Sequence, residues 1–260
     1  MRLCIRSDLA FFAFILGIVQ KYHRGECRGA SVNYYVYFTT HYNPMKYKVL
    51  DLGLIDYNKA YIIQKENLNL VKSGNCDGVI ILAEHTPVFT IGRLKSADNF
   101  ILSHNKIRSL GIDIVHTDRG GDITFHGPGQ IIAYPIFNLN KHERDMHKFL
   151  RSIEEVIMEA LSRYAIASFR ITGRTGCWTE RGKIASIGIG ASSWVTYHGM
   201  ALNANTELRF FEMINPCGYK DIKTTSMKEI MGQPVDMQEL KATLLESFEK
   251  VFKIKLLQTL

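Results

Sequence analysis

The stretch RGGDITFHGPGQIIAYPIFNL, Arg119–Leu139, runs from a glycine-rich loop directly into an apolar strand, and its reading decides the fold. IIAYPIFNL is β-branched and aromatic and follows Gly and Pro, as a buried strand should. Upstream, GVIILAEH (Gly78–His85), VFTIGR (Val88–Arg93) and IDIVHTD (Ile112–Asp118) read as further strands bounded by Pro, Gly and charged residues. Downstream, Met146, Phe149, Leu150, Ile153, Val156, Ile157, Ala160, Leu161 and Tyr164 keep the three-four spacing of an amphipathic helix whose stripe belongs to the core.

Further from that stretch, KIASIGIGA (Lys183–Ala191) and YHGMALNAN (Tyr197–Asn205) read as paired strands with a turn near Ser192 and Ser193. Met237, Leu240, Leu244, Leu245, Phe248 and Val251 describe a closing helix. KYKVLDLG reads as an early strand, and Asp56 as the cap of a helix carried by Tyr57, Ala60, Tyr61 and Gln64. Strands that neighbour one another without intervening helices point to an α/β (α+β) class. The sheet is expected to be mixed or antiparallel, with flanking helices, rather than doubly wound.

The 260 residues are 46% hydrophobic and 22% charged, values of a globular chain with a sizeable core. Net charge is +7, yet no basic run stands out and no zinc-finger or RNA-binding signature accompanies it, so no nucleic-acid partner is expected. Five cysteines, Cys4, Cys27, Cys76, Cys177 and Cys217, form no CxxC and no paired His spacing. That argues against structural zinc and a disulfide framework, and for a reducing, cytoplasmic setting.

Residues 1–44 differ from the rest. Leu9–Val19 is too short to span a bilayer but has the length of a signal-peptide apolar region behind Arg2 and Arg6, while Asp8 and the lack of an A-x-A site speak against export. Either Met45 is the functional start or the extension is dispensable, targeting or disordered; the catalytic domain is read as residues 45–260, which carry +4 of the net charge. The extension leaves an organelle or membrane-proximal location open, with no stable membrane insertion expected.

Two segments hold the chemistry. NPCG, Asn215–Gly218, places Cys217 in a turn that can expose sulfur at a cleft. A thiol near pKa 8.5 is mostly protonated at neutral pH, so an active cysteine needs a cation or base beside it. His126 would supply imidazole; Lys183, at the start of an apolar strand, would supply an amine whose pKa desolvation lowers. Spacing does not choose between them. The ordinary alternatives are a buried apolar Cys217, a hydrogen-bonded His126 and a snorkelling Lys183, and Cys177 beside Trp178 is the rival thiol. Arg119, Gly120, Gly121, Asp122, Ile123, Thr124, Phe125 and His126 can turn amides and a guanidinium toward a polar ligand, or simply connect a strand ending at Asp118 to one starting at Ile131. Neither GxxxxGK[ST] nor GxGxxG between strand and helix is present.

RGGDITFHGPGQIIAYPIFNL, GCWTERGKIASIGIG, WVTYHGMALNAN and INPCGYKDIKTTSM occur in an order that resembles the octanoyl-[acyl-carrier-protein]:protein octanoyltransferases of lipoate synthesis, over about residues 45–255. The resemblance implies a catalytic fold like that of the biotin and lipoate protein ligases. It also implies transfer of octanoyl from octanoyl-acyl carrier protein, through a cysteine thioester, to a lysine of lipoyl domains on 2-oxoacid dehydrogenase E2 subunits and the glycine cleavage H protein. By motif position the nucleophile is Cys217 and the lysine that lowers its pKa is Lys183. The substrate-binding segments fall on Arg119–His126, on Ser186, Ile187 and Gly188, and on Gly199, Met200 and Ala201. No cofactor or metal is implied. Burying the acyl tail would contribute about 5 kcal/mol at about 0.8 kcal/mol per methylene. Amides of Ser186–Gly188 or of the RGG loop are candidates to hold each oxyanion. An ATP-dependent lipoate or biotin ligase, an octanoyl amidotransferase between lipoyl-bearing proteins, and a non-enzymatic carrier-binding module are the competing readings.

Overall fold

The structure, a computed structural model, describes residues 47–93, 99–215 and 223–257. Cys217 and the segment 1–44 lie outside the described residues.

Strand β1 (Tyr47–Ile55) is followed by helix α1 (Tyr57–Lys72), whose first turn is closed by the Asp56 carboxylate accepting from the Lys59 amide at 3.0 Å. The chain continues through β2 (Gly78–His85), β3 (Val88–Ile91), the short α2 (His104–Ser109), β4 (Asp113–His116), β5 (Ile123–His126) and β6 (Gln130–Phe137). Helix α3 (Met146–Ser162) is capped by Asp145, which accepts from His147 and Lys148. Then come β7 (Phe169–Ile171), β8 (Arg174–Thr179), β9 (Gly182–Ser192), β10 (Val195–Asn203), α4 (Met227–Met231), α5 (Met237–Phe252) and β11 (Leu256–Leu257).

Eight strands form one mixed sheet in the order β11-β1-β2-β6-β10-β9-β8-β7, parallel from β11 to β2 and antiparallel beyond. Three strands form a second sheet, β4-β3-β5. The main sheet is covered on both faces. Ile153, Ile157 and Leu161 of α3 and Leu240, Leu244 and Phe248 of α5 bury against one face, and Leu68 and Val71 of α1 against the other. Each such side chain contributes about 1.5–3 kcal/mol. Covering both faces explains why β2 and β6 read as nearly unbroken apolar runs rather than alternating ones.

Of the two readings of Arg119–Gln130, the bare hairpin connection does not hold, because Ile123–His126 forms an edge of the second sheet, antiparallel to β3. One feature differs from the sequence reading. The β9–β10 turn sits on Ser193 and Trp194 rather than Ser192 and Ser193; both have positive φ, 53° and 62°, the hand that suits a two-residue hairpin.

Pro135 stands inside the central strand β6, where it cannot donate to a ladder. The β6–β10 pairing runs only from Gln130 to Ala133, and beyond it the Thr196 hydroxyl takes over, donating to Pro135 O at 2.7 Å and accepting from Phe137 N at 2.9 Å. Here β10 bends through His198, whose φ of 57° is costly for a side chain of that size. The bend lies next to Gly199–Met200–Ala201.

Candidate functional site

A cavity of about 620 Å³ opens between the two sheets. Its walls come from segments far apart in sequence: the loop and strand around β5, the middle of β9, and β10 after its bend. Arg119, Gly120, Gly121, Asp122, Ile123, Thr124, His126, Lys183, Ser186, Ile187, Gly188, Gly199, Met200 and Ala201 all line it. Phe125 does not. Strand alternation sends its ring to the opposite side of β5, where it stacks on Phe210 and meets Phe89 and Phe211 in a separate core.

Arg119 is buried and spans the base of the loop: Nε donates to Thr90 Oγ1 at 3.1 Å, Nη2 to Thr90 O at 2.6 Å and Nη1 to Gly120 O at 3.0 Å. Such a fork holds a planar cation in one orientation. The Gly120 amide donates to Ile189 O at 3.0 Å, so it is spent on tying the loop to β9 and is not an oxyanion donor. Gly188 makes this junction possible, since a Cβ there would stand 2.7 Å from Gly120 O. Asp122 accepts a hydrogen bond from the Asn99 amide.

His126 is buried with both ring nitrogens engaged. Nδ1 lies 2.7 Å from Gln130 Oε1, and Nε2 lies 3.3 Å from Thr90 Oγ1. Because Gln130 Nε2 donates to Asn203 Oδ1, its oxygen faces the histidine, which makes Nδ1 the protonated nitrogen and Nε2 the acceptor. Burial, with His85 and Arg119 nearby, pushes its pKa down to about 3. It is a neutral structural imidazole.

Lys183 is fixed by its backbone: its N–H donates to Lys223 O at 2.8 Å, and its carbonyl accepts from Thr225 N at 3.0 Å. Its ammonium stands 5.6 Å from the centre of the Trp178 ring. The rival thiol, Cys177, is buried in the main core, donates to Glu154 O at 3.5 Å, and is pushed up to about 12 by burial and the Glu154 carboxylate. It stays protonated and inert.

Several lining residues escaped the sequence reading. Tyr57, Tyr134, Met146, Leu150, Trp178, Ile189 and Asn203 reach the cavity from elements whose apolar stripes signal only core. Tyr57 and Tyr134 carry the one local hint, a polar tip on a buried position. His198 also lines the cavity, with Nε2 2.7 Å from Asp118 Oδ1 and its pKa lowered to about 4 by burial. Among the described residues no group of three or more His, Cys, Asp or Glu side chains could hold a metal ion, and no helix is long and apolar enough to cross a membrane.

Residues 56–249 match the family model described as the lipoyl protein ligase A/B catalytic domain. An octanoyltransferase of Syntrophotalea carbinolica is 40% identical over 206 residues, covering 79% of this chain and 94% of that one. An octanoyltransferase of Geotalea uraniireducens is 42% identical over 201 residues, covering 77% and 91%. Among solved structures, a bi-partite lipoate protein ligase from Thermoplasma acidophilum superposes with a TM-score of 0.68 at 14% identity, covering 83% of this chain and 87% of that one. At that identity the likeness is one of fold.

Proposed function

The chain belongs to the lipoyl protein ligase A/B catalytic domain family and is similar over most of its length to octanoyltransferases, and from that premise we propose that it moves an octanoyl group onto a lysine of a lipoyl domain. The donor is octanoyl-acyl carrier protein, and the acceptors are lipoyl domains of 2-oxoacid dehydrogenase E2 subunits and the glycine cleavage H protein. The catalytic domain is residues 45–260, working in a reducing cytoplasm.

One observation carries the reading: three segments from separate strands converge on a single partly apolar cavity with Lys183 on its wall. The described residues that flank positions 216–222 are anchored. Asn215 N donates to Asn99 O at 2.7 Å, and Lys223 O accepts from Lys183 N at 2.8 Å. Chain length keeps a residue six positions before Lys223 within about 20 Å of it, at about 3.5 Å per residue.

In the first step the Cys217 thiolate, ionised beside the Lys183 ammonium, attacks the thioester carbonyl of the donor. The C–S bond to the carrier breaks, and the departing thiolate takes a proton from Lys183. In the second step the deprotonated amine of the acceptor lysine attacks the acyl-cysteine and the Cys217 thiolate leaves. The amine's remaining extra proton passes to Lys183, leaving an amide. Thioester exchange is nearly balanced and amide formation runs downhill, so the cycle closes without nucleotide.

The fold is shared with lipoate ligases and does not choose between ligase and transferase; the identity to octanoyltransferases supports octanoyl transfer. The test is octanoyl transfer from carrier protein to a purified lipoyl domain without ATP. Turnover that disappears in Cys217→Ser supports the proposal. Turnover that requires ATP, or that survives in Cys217→Ser, overturns it.

A further inference from the structure

Glu154 is a carboxylate in the middle of α3 with no exposed surface. A buried charge of this kind is costly unless fully paired. Its Oε2 accepts from Arg151 Nη1 at 2.6 Å and from Arg170 Nε at 3.0 Å. Its Oε1 turns the other way and accepts from the backbone amide of Gly176 in β8 at 3.1 Å.

Gly176 lies close against the stem of the cavity lysine. It has a φ of 128°, and a Cβ on it would stand 2.6 Å from Ala185 O and 2.9 Å from Lys183 Cε. Just beyond it the β8–β9 ladder slips by one residue: Cys177 faces Ala185, and Trp178 faces Lys183. The slip is a bulge, and the Trp178 ring that follows it has its centre 5.6 Å from the Lys183 ammonium. Arg170 bonds both Glu154 and Glu155, and the Cys177 thiol donates to Glu154 O on the same side of β8 as this cluster's helix. Arg174 is the further charged neighbour, beside Trp178.

We infer that Glu154 is a positioning residue for Lys183: its carboxylate fixes the Gly176 amide and the bulge that follows, and these two fix where the lysine stem and ammonium stand. The inference rests on the reading in which Lys183 is the cation that keeps the Cys217 thiol ionised. Gly176 permits the bulge locally, and the buried acceptor on a neighbouring helix fixes the amide beside it. Glutamine keeps the Oε1 acceptor and the shape. Methionine keeps only the shape.

The experiment follows the pH dependence of iodoacetamide alkylation of Cys217, mapped by peptide mass, in the wild type, Glu154→Gln, Glu154→Met, Arg170→Met and Lys183→Met. Displacing the ammonium raises the thiol pKa, so Glu154→Met is expected to move the alkylation inflection upward by about one pH unit. Arg170→Met, at a partly exposed position, loosens the same carboxylate and is expected to move it by a smaller amount in the same direction. Glu154→Gln is expected to stay near wild type. A loss of stability without any upward movement in the folded Met variants, or an equal movement in Gln and Met, overturns the inference while leaving the chemistry of Lys183 intact. If Glu154→Met does not fold, Arg170→Met decides. No movement in Lys183→Met overturns the underlying reading, and this inference with it.

Discussion

His126 and Gln130 share the hydrogen bond, 2.7 Å from Nδ1 to Oε1, that links the glycine-rich loop to the lysine wall of the cavity. From Gln130 the connection runs through Asn203 Oδ1 at 2.8 Å, from Asn203 Nδ2 to Thr225 O at 3.0 Å, and from Thr225 N to Lys183 O at 3.0 Å. His126 and Lys183, the two groups that sequence alone left as rivals for one role, are thus two ends of a buried relay. Gln130→Leu would strand the His126 N–H and the Asn203 oxygen in a dry interior. The expected loss is about 3 kcal/mol of folding stability, read by denaturant titration. A change near zero would mean that the relay is not intact in solution.

Gly188→Ala places a Cβ 2.7 Å from Gly120 O, a contact that the loop can relieve only by moving. Arg119 is anchored on the same loop, so the cavity wall shifts with it. Transfer measured as kcat/KM is expected to fall by about 10²-fold, the order of cost attached to a misplacement of about 1 Å. A variant with wild-type turnover would show that the Gly120–Gly188 junction does not shape the site.

Acid sensitivity follows from histidines whose pKa burial lowers, of which His85, His126 and His198 lie around the cavity and His142 apart from it. Burial lowers the pKa of His85, lowers that of His198 to about 4 and that of His126 to about 3. A histidine with a depressed folded pKa binds fewer protons folded than unfolded, so stability falls as pH drops below about 6.5, the unfolded value, and goes on falling to the folded pKa. Asp118 adds to this at lower pH: despite desolvation by burial, hydrogen bonds from Tyr197 and His198 hold its carboxyl below the usual range. Its contribution is present above about 3.9 and is lost as pH falls toward the folded value. The melting temperature should decline steadily from pH 6.5 to pH 4; a flat profile over that interval would contradict the burial of these rings.

Cys177→Ala removes a buried sulfur that donates to Glu154 O. It is expected to cost about 1 kcal/mol in stability and to leave the rate of octanoyl transfer within about twofold of wild type. A collapse of activity in a folded Cys177→Ala protein would make Cys177, not Cys217, the sulfur to follow.

Much of the architecture was legible locally. Asp56 and the run from Tyr57 announced α1, the stripe from Met146 announced α3, and the β-branched runs announced β2, β6, β9 and β10. Those signals are periodicity and capping, which depend on near neighbours. What stayed hidden depends on distant partners. Ile123–His126 becomes a strand only because Val88–Ile91 offers an edge, and Pro135 sits in a central strand only because the Thr196 hydroxyl replaces the missing backbone pairing. The β9–β10 turn moved by one residue because Ser193 and Trp194 adopt positive φ without the glycine that usually signals it. In the site, every described residue of the predicted set lines the cavity except Phe125, which alternation along β5 turned away, while much of the remaining wall comes from residues such as Tyr57, Met146 and Leu150 that carried only a core signal. Glu154 on the apolar stripe of α3 and Gly176 inside β8 were visible one by one, but nothing local pairs them.

The central claim is a covalent one and is tested most directly by intact-mass measurement after mixing the protein with octanoyl-acyl carrier protein in the absence of acceptor. The account predicts a single octanoyl adduct, removed by neutral hydroxylamine and mapped by peptide mass to Cys217. A folded protein that acquires no adduct, or acquires it at another residue, would contradict it.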